Sequence, residues 1–167
     1  MSILDPLKGF GGTFGTMFRG VVTADYPVNP APVSPRYRMR HRLNRHPDGL
    51  EKCIGCALCA AACPADAIFV EASENTDERR FSPGERYAST YEINMLRCIF
   101  CGYCEDACPT EAIVLGDNYE LSFTDRSQAI YTREMLLDPV PQGAEPTPRE
   151  VEPGEFDRSI PVMADPK

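Results

Sequence analysis

The sequence lacks three features that would each indicate a particular class of protein. A membrane-spanning helix needs about eighteen consecutive apolar residues, and no apolar run in the sequence approaches that length. Any membrane association is therefore expected at the surface or through a partner. No apolar stretch followed by a small-residue cleavage site marks a secretory signal. No glycine-rich fingerprint follows a strand, so we expect no direct binding of a dinucleotide.

Cysteine, by contrast, is concentrated in one short region. All eight cysteines lie between Cys53 and Cys108. Without a secretory signal we expect a reducing compartment, where disulfides rarely persist. Clustered thiols in such a compartment indicate metal or iron–sulfur ligation.

The cysteine region contains the same unit twice, at an offset of 45 residues. CIGCALCAAACPADAI (53–68) and CIFCGYCEDACPTEAI (98–113) share nine residues. These are the four cysteines, the isoleucine after the first, the alanine before the fourth, the proline after it and the closing Ala-Ile. Such self-similarity predicts an internal duplication.

Each copy has the spacing C-x2-C-x2-C-x3-C-P of bacterial ferredoxins. Zinc sites usually take cysteines as separated pairs, so the spacing fits zinc poorly. Three thiolates from one tight loop can hold three irons of a [4Fe–4S] cubane while backbone N–H groups point at its sulfurs. In two-cluster ferredoxins the fourth cysteine ligates the other cluster. A zinc site or a purely structural cluster remains the alternative.

The motif therefore predicts two [4Fe–4S] clusters with crossed ligands, close enough for fast electron exchange. The ligands expected for cluster one are Cys53, Cys56, Cys59 and Cys108. The ligands expected for cluster two are Cys98, Cys101, Cys104 and Cys63. No catalytic residue is expected. Glu105 and Asp106 beside cluster two, against Lys52 beside cluster one, predict that cluster two is harder to reduce.

Residues 1–22 are predicted to form an amphipathic helix. Apolar residues recur at helical spacing, opposite a face with glycines, Lys8 and Arg19. Such a face suits the membrane surface or a groove on a membrane partner. A helix folded back on the core is the alternative. The apolar positions are Leu4, Leu7, Phe10, Phe14, Met17, Phe18 and Val21.

Residues 23–47 are predicted to be an extended arm rich in proline and arginine. Four prolines fall within residues 26–35, and alternate positions then carry Arg36, Arg38, Arg40 and Arg42. Docking against an acidic partner surface or anionic headgroups is expected, with a solvated basic strand as the alternative. Nucleic acid is not expected, because the net charge is −8 and no recognition motif is present.

The remaining segments complete an α+β prediction: a duplicated bacterial-type two-[4Fe–4S] ferredoxin domain with an N-terminal amphipathic helix, an extended arm and an extended C-terminal tail. The ferredoxin-like domain is expected at 48–118, with a surface loop at 73–86. Short helices are predicted at 119–137, the last capped by Thr132. An acidic, proline-rich tail at 138–167 is expected to be disordered alone or laid along a partner.

The segments PRYRMRHRLNRHPDGLEKCIGCALCAAACPADAIFVEA and YEINMLRCIFCGYCEDACPTEAIV resemble a known family. It is the ferredoxin-like chain I, or TYKY-type, subunit of bacterial NADH:quinone oxidoreductase, respiratory complex I. The resemblance runs from about Asp5 to Leu137. Met39 stands where the family usually has glycine, and the tail beyond Leu137 is longer than the family pattern.

The resemblance implies a non-catalytic electron-relay subunit of a translocating enzyme. NADH reduces a flavin on another subunit, and this subunit's clusters carry single electrons towards the terminal cluster beside the quinone site. The implied partners are an upstream iron–sulfur subunit, the terminal-cluster subunit, the quinone-site subunit and the quinone-channel membrane subunit. The implied location is peripheral, on the cytoplasmic side of the inner (plasma) membrane, with no direct NADH or flavin binding.

Three alternatives stay open at this point. The chain could be the equivalent subunit of a related membrane-bound hydrogenase-type complex, which would reuse the same ligands with another donor and acceptor. It could be a freely diffusing two-cluster ferredoxin, against which the long arms argue. It could also be a scaffold whose clusters never change oxidation state.

Overall fold

A computed structural model of the 167-residue chain describes residues 5–150. The first four residues of the predicted helix and residues 151–167 of the predicted tail lie outside the described residues. The chain divides into two units, Met1–Ser34 and Pro35–Lys167. The elements are α1 (Asp5–Thr16), β1 (His41–Leu43), α2 (Leu58–Ala61), β2 (Ile68–Glu74), β3 (Arg86–Asn94), α3 (Tyr103–Asp106), β4 (Ile113–Leu115), a 3-10 turn (Ser127–Ala129), β5 (Ile130–Thr132) and α4 (Arg133–Leu136).

The first unit contains α1, which ends at Thr16 and is therefore shorter than the helix predicted over residues 1–22. The Thr13 hydroxyl donates to the Phe10 carbonyl over 3.0 Å, a back-bond within the helix. Phe10 and Phe14 are 73% and 62% exposed, so the apolar face of α1 is not covered. No helix within residues 5–150 is long and apolar enough to cross a bilayer.

The second unit begins with a strand inside the range predicted as an arm. β1 pairs antiparallel with β4, with His41 opposite Leu115 and Leu43 opposite Ile113. His41 and Leu43 are buried while Arg42 between them is exposed, as the alternation of an extended chain requires. The end of the arginine-rich segment is therefore part of this unit's core.

A second sheet has the strand order β2-β3-β5. β3 pairs antiparallel with β2, placing Ile68 opposite Ile93, and with β5, placing Ile93 opposite Tyr131. The prediction of helices alone at 119–137 is wrong at 130–132, because Tyr131 packs as a strand residue against the core. Thr132 does precede α4, but its side chain makes no capping hydrogen bond.

The segment between the repeats differs from the surface loop that was predicted for residues 73–86. β2 continues to Glu74, and Arg80, Phe81 and Ser82 are buried. The Asn75 side chain closes the loop: its amide donates to Ser82 Oγ over 2.8 Å, and its carbonyl oxygen accepts from the Phe81 N–H over 3.0 Å. Phe81 stacks on Tyr87 with ring centroids 4.1 Å apart. Burial of this aromatic residue draws the loop onto the sheet.

Residues 138–149, predicted as part of an extended tail, lie against their own unit. Arg149 and Arg80 exchange two backbone hydrogen bonds of 2.9 and 3.1 Å. The Thr147 hydroxyl donates to the carboxylate of Glu51, which is 1% exposed. Glu51 also accepts two hydrogen bonds from Arg133, one of them 3.0 Å long. Burial alone would lower the pKa of Arg133, but the bonds to Glu51 outweigh it and raise that pKa.

Candidate iron–sulfur centres

The two cysteine loops repeat the same backbone conformation at the 45-residue offset. Residues between the cysteines adopt positive φ in matching pairs, which turns the loop so that its cysteines can face one side. A further pair follows the fourth cysteine. The pairs are Gly55 (φ 65) and Phe100 (φ 54), Ala57 (φ 60) and Gly102 (φ 86), and Asp66 (φ 47) and Glu111 (φ 51).

The fourth cysteine of each copy is held in the same way. The short helices α2 and α3 precede Cys63 and Cys108. The sulfur of Cys63 accepts from the Ala67 N–H over 3.4 Å, and the sulfur of Cys108 accepts from the Ala112 N–H over 3.2 Å. Amides that donate to a ligand sulfur partly neutralise its negative charge. Both sulfurs are therefore oriented and stabilised for ligation.

One group of thiols combines cysteines from both copies. A cavity at the core is lined by Leu43, Tyr91 and Ile113 together with Cys53, Cys56, Cys59 and Cys108. Burial raises the pKa of the Cys53 thiol to about 12, although a backbone hydrogen bond from Gly55 opposes the rise. The charges of the other three cysteines that line the cavity raise this pKa further. The last cysteine of the second copy thus lies among the first three of the first copy.

The second group shows the reciprocal exchange. Burial raises the pKa of Cys98, and the charges of Cys63 and Cys101 raise it further. Burial also raises the pKa of Cys104 to about 12, and the charges of Cys98 and Cys59 add to the effect. The charge of Cys63, from the first copy, therefore acts on Cys98 of the second copy. The interaction between Cys59 and Cys104 indicates that the two groups are neighbours.

The donor set fits an iron–sulfur cluster, because a cubane binds each thiolate through a different iron and four thiols line one cavity. Within residues 5–150, no group of three or more His, Cys, Asp or Glu side chains is placed to hold one metal ion. All eight cysteines are free thiols available for ligation.

Two side chains outside the cysteine motifs contact ligand candidates. Tyr91 OH lies 3.3 Å from Cys59 Sγ, and His41 Nε2 lies 3.9 Å from Cys98 Sγ. Burial lowers the pKa of His41 to about 4, so its ring is neutral. Its buried Nδ1 has no hydrogen-bond partner within the described residues, which favours the proton on Nε2, facing the sulfur. Both residues lie outside the cysteine motifs, so the spacing of the cysteines gave no sign of them.

Arg38 also reaches a cysteine loop, although the sequence predicted a partner or lipid contact for the arginine run. Its Nη1 donates to the carbonyl oxygen of Cys101. A Cβ at Gly102 would lie 2.6 Å from Arg38 Nε, so the missing side chain leaves room for the guanidinium. Arg45, three residues beyond that run, donates to the carbonyls of Asp138 and Gly49. At least these two arginines are engaged within their own unit.

Comparisons with known proteins agree with the chemistry of this region. Residues 52–112 match the family described as "4Fe-4S dicluster domain". The second unit therefore contains a ferredoxin domain of this kind within a small mixed helix and sheet fold, which supports [4Fe–4S] binding and electron transport. Among solved structures, the chain is similar to one in the membrane-bound sulfane sulfur reductase, an archaeal respiratory membrane complex. It is 30% identical with a TM-score of 0.48; the match covers 84% of this chain and 64% of that chain.

Proposed function

We propose that this chain is an electron-transfer subunit that holds two [4Fe–4S] clusters in crossed sites. Cluster one is bound by Cys53, Cys56, Cys59 and Cys108, and cluster two by Cys98, Cys101, Cys104 and Cys63. The observation that carries the proposal is that Cys108 lines one cavity with the first three cysteines of the first copy. The charge of Cys63 acting on Cys98 supports the reciprocal exchange. A duplicated motif whose fourth cysteines are exchanged yields two adjacent redox centres.

The clusters, when bound, accept and release single electrons. The chain's own residues provide the environment for this. Leu43, Tyr91 and Ile113 are buried around the first group of thiols and keep it apolar. Because that environment disfavours free thiolates, the iron must compensate their charge, and metal binding is expected to contribute to folding. Tyr91 supplies a hydroxyl at Cys59, and His41 an imidazole N–H at Cys98.

The complex that we propose is NADH:quinone oxidoreductase, with this chain relaying electrons from the flavin side towards the terminal cluster at the quinone site. The support is the resemblance of the flanking segments from about Asp5 to Leu137, since the cysteines alone indicate only a ferredoxin-like domain. The exposed aromatic face of α1 suits a membrane surface or a membrane-embedded partner subunit. An equivalent subunit of a hydrogenase-type membrane complex would use the same ligands and is the alternative to exclude.

The test is purification of the tagged chain from membranes in mild detergent. We expect the co-purifying complex to oxidise NADH and reduce quinone. In a complex that carries the Cys59→Ser chain, we expect no quinone reduction. NADH should still reduce an artificial electron acceptor, because those electrons leave the complex upstream of this subunit. Hydrogen-dependent activity would move the assignment to a hydrogenase-type complex. Recovery of the chain unbound in the soluble fraction would contradict the subunit assignment.

A further inference from the structure

The two cysteine loops differ at one position that their shared backbone makes directly comparable. Ala57 in the first loop and Gly102 in the second stand at equivalent positions, and both have positive φ. The first loop carries a methyl group there. In the second, that space is taken by the side chain of Arg38, which crosses Gly102 and donates to the Cys101 carbonyl. The second loop thus has a cation in contact with its backbone, held by a residue 63 positions away in the chain.

We propose that Arg38 raises the reduction potential of the cluster held by Cys98, Cys101, Cys104 and Cys63; the inference rests on the function proposed above. Reduction adds one electron to the cluster, and a nearby positive charge stabilises the more negative product. The hydrogen bond to Cys101 adds to this effect, because it offsets the negative end of a carbonyl that belongs to a ligand residue.

Charges of both signs lie near this cluster, so the test measures the change in its reduction potential when Arg38 is removed. Glu105 and Asp106 lie on α3 directly after Cys104 and act in the opposite direction. Arg38 itself is exposed, so water and salt screen its charge. The absolute order of the two potentials therefore depends on several groups. The change on removing Arg38 compares the same cluster with and without one charge, and it has a defined direction, towards lower potential.

The experiment is a redox titration of the full-length, cluster-loaded chain followed by EPR, with dithionite as electron donor. The variant is Arg38→Gln. The matched control is Arg42→Gln, which removes the same charge from an exposed residue on β1 whose side chain lies beside Gly116. Arg38→Lys keeps the charge but loses the guanidinium fork. Cys101→Ser identifies which signal belongs to cluster two, and iron content is measured throughout.

In Arg38→Gln we expect one of two midpoint potentials to shift negative at unchanged iron content, with a smaller shift in Arg38→Lys and none in Arg42→Gln. The shift should shrink as ionic strength rises. An unchanged potential in Arg38→Gln, an equal shift in Arg42→Gln, or loss of iron from both Arg38 variants would overturn the proposal. Absence of [4Fe–4S] signals from the unsubstituted chain would instead contradict the proposed function.

Discussion

The two copies of the cysteine motif share a backbone but are covered by different parts of the chain. The first loop lies under the sheet: Gly55 approaches the Tyr87 carbonyl and Ala72, and Ile54 lies against Gly84. The second loop is covered by Arg38, which crosses Gly102, and by His41, which lies beside Phe100. Ile99, the equivalent of Ile54, remains 64% exposed. The motif thus supplies the proposed ligands, while different segments of the chain cover the two loops.

The largest expected effect comes from removing the iron that both copies are proposed to bind. Chelation of iron from the reduced, anaerobic chain should unfold the second unit, because metal binding contributes much of the folding free energy when the ligands come from both copies of the motif. Hydrogen exchange should then show loss of amide protection throughout β2 and β3. Protection retained at the level of the loaded chain would show that the core folds independently of its clusters.

The next largest effect on stability is expected at the residue two positions before the first cysteine of each copy. Glu51, two residues before the first cysteine, is buried and paired with Arg133, whereas Leu96, its equivalent at the offset of 45, is 55% exposed. Glu51→Gln leaves Arg133 without its charged partner and should cost about 3–5 kcal/mol, because a half-removed buried ion pair is strongly destabilising. Leu96→Gln, the matched control, should cost less than about 0.5 kcal/mol. Anaerobic thermal unfolding of the loaded chain compares them, and similar losses would contradict the asymmetry.

A smaller effect is expected from glycine substitutions where another part of the chain covers each cysteine loop. A Cβ at Gly55 would lie 2.8 Å from the Tyr87 carbonyl oxygen, which is backbone and cannot move aside easily. At Gly102 the obstacle is the flexible end of Arg38. We therefore expect Gly55→Ala to destabilise by about 2–3 kcal/mol and Gly102→Ala by about 1 kcal/mol. Gly143→Ala, with φ +85 and nothing within 4 Å, measures the cost of positive φ alone. Equal losses at Gly55 and Gly143 would show that the close approach to the sheet is unimportant.

The ferredoxin domain was predictable because its signal is local. Four cysteines and a proline at fixed spacing define a loop and a helical turn within twelve residues, and the match over residues 52–112 confirms the domain type. The alternate arginines likewise predicted an extended segment, although not the burial of His41 and Leu43 on its other side. In each case the neighbours that decide the conformation are close in sequence.

What covers this domain could not be predicted, because it depends on contacts between distant residues. Nothing beside Arg38 in the sequence indicates that its guanidinium lies on Gly102. Asn75 and Phe81 lie in a polar stretch that has the composition of a loop, yet their side chains draw it onto the sheet. Thr147 lies among prolines and acidic residues, yet its hydroxyl donates to the buried carboxylate of Glu51 and accepts from Arg45. Polar composition indicated exposure, but specific hydrogen bonds outweighed it.

The central claim is that each cluster is completed by a cysteine from the other copy, and single substitutions test it most directly. EPR of the reduced, full-length chain should show that Cys108→Ala removes or alters the same signal as Cys53→Ala, and that Cys63→Ala affects the same signal as Cys98→Ala. Pairing of Cys108 with Cys98, and of Cys63 with Cys53, would instead show that each copy binds its own cluster and would contradict the account.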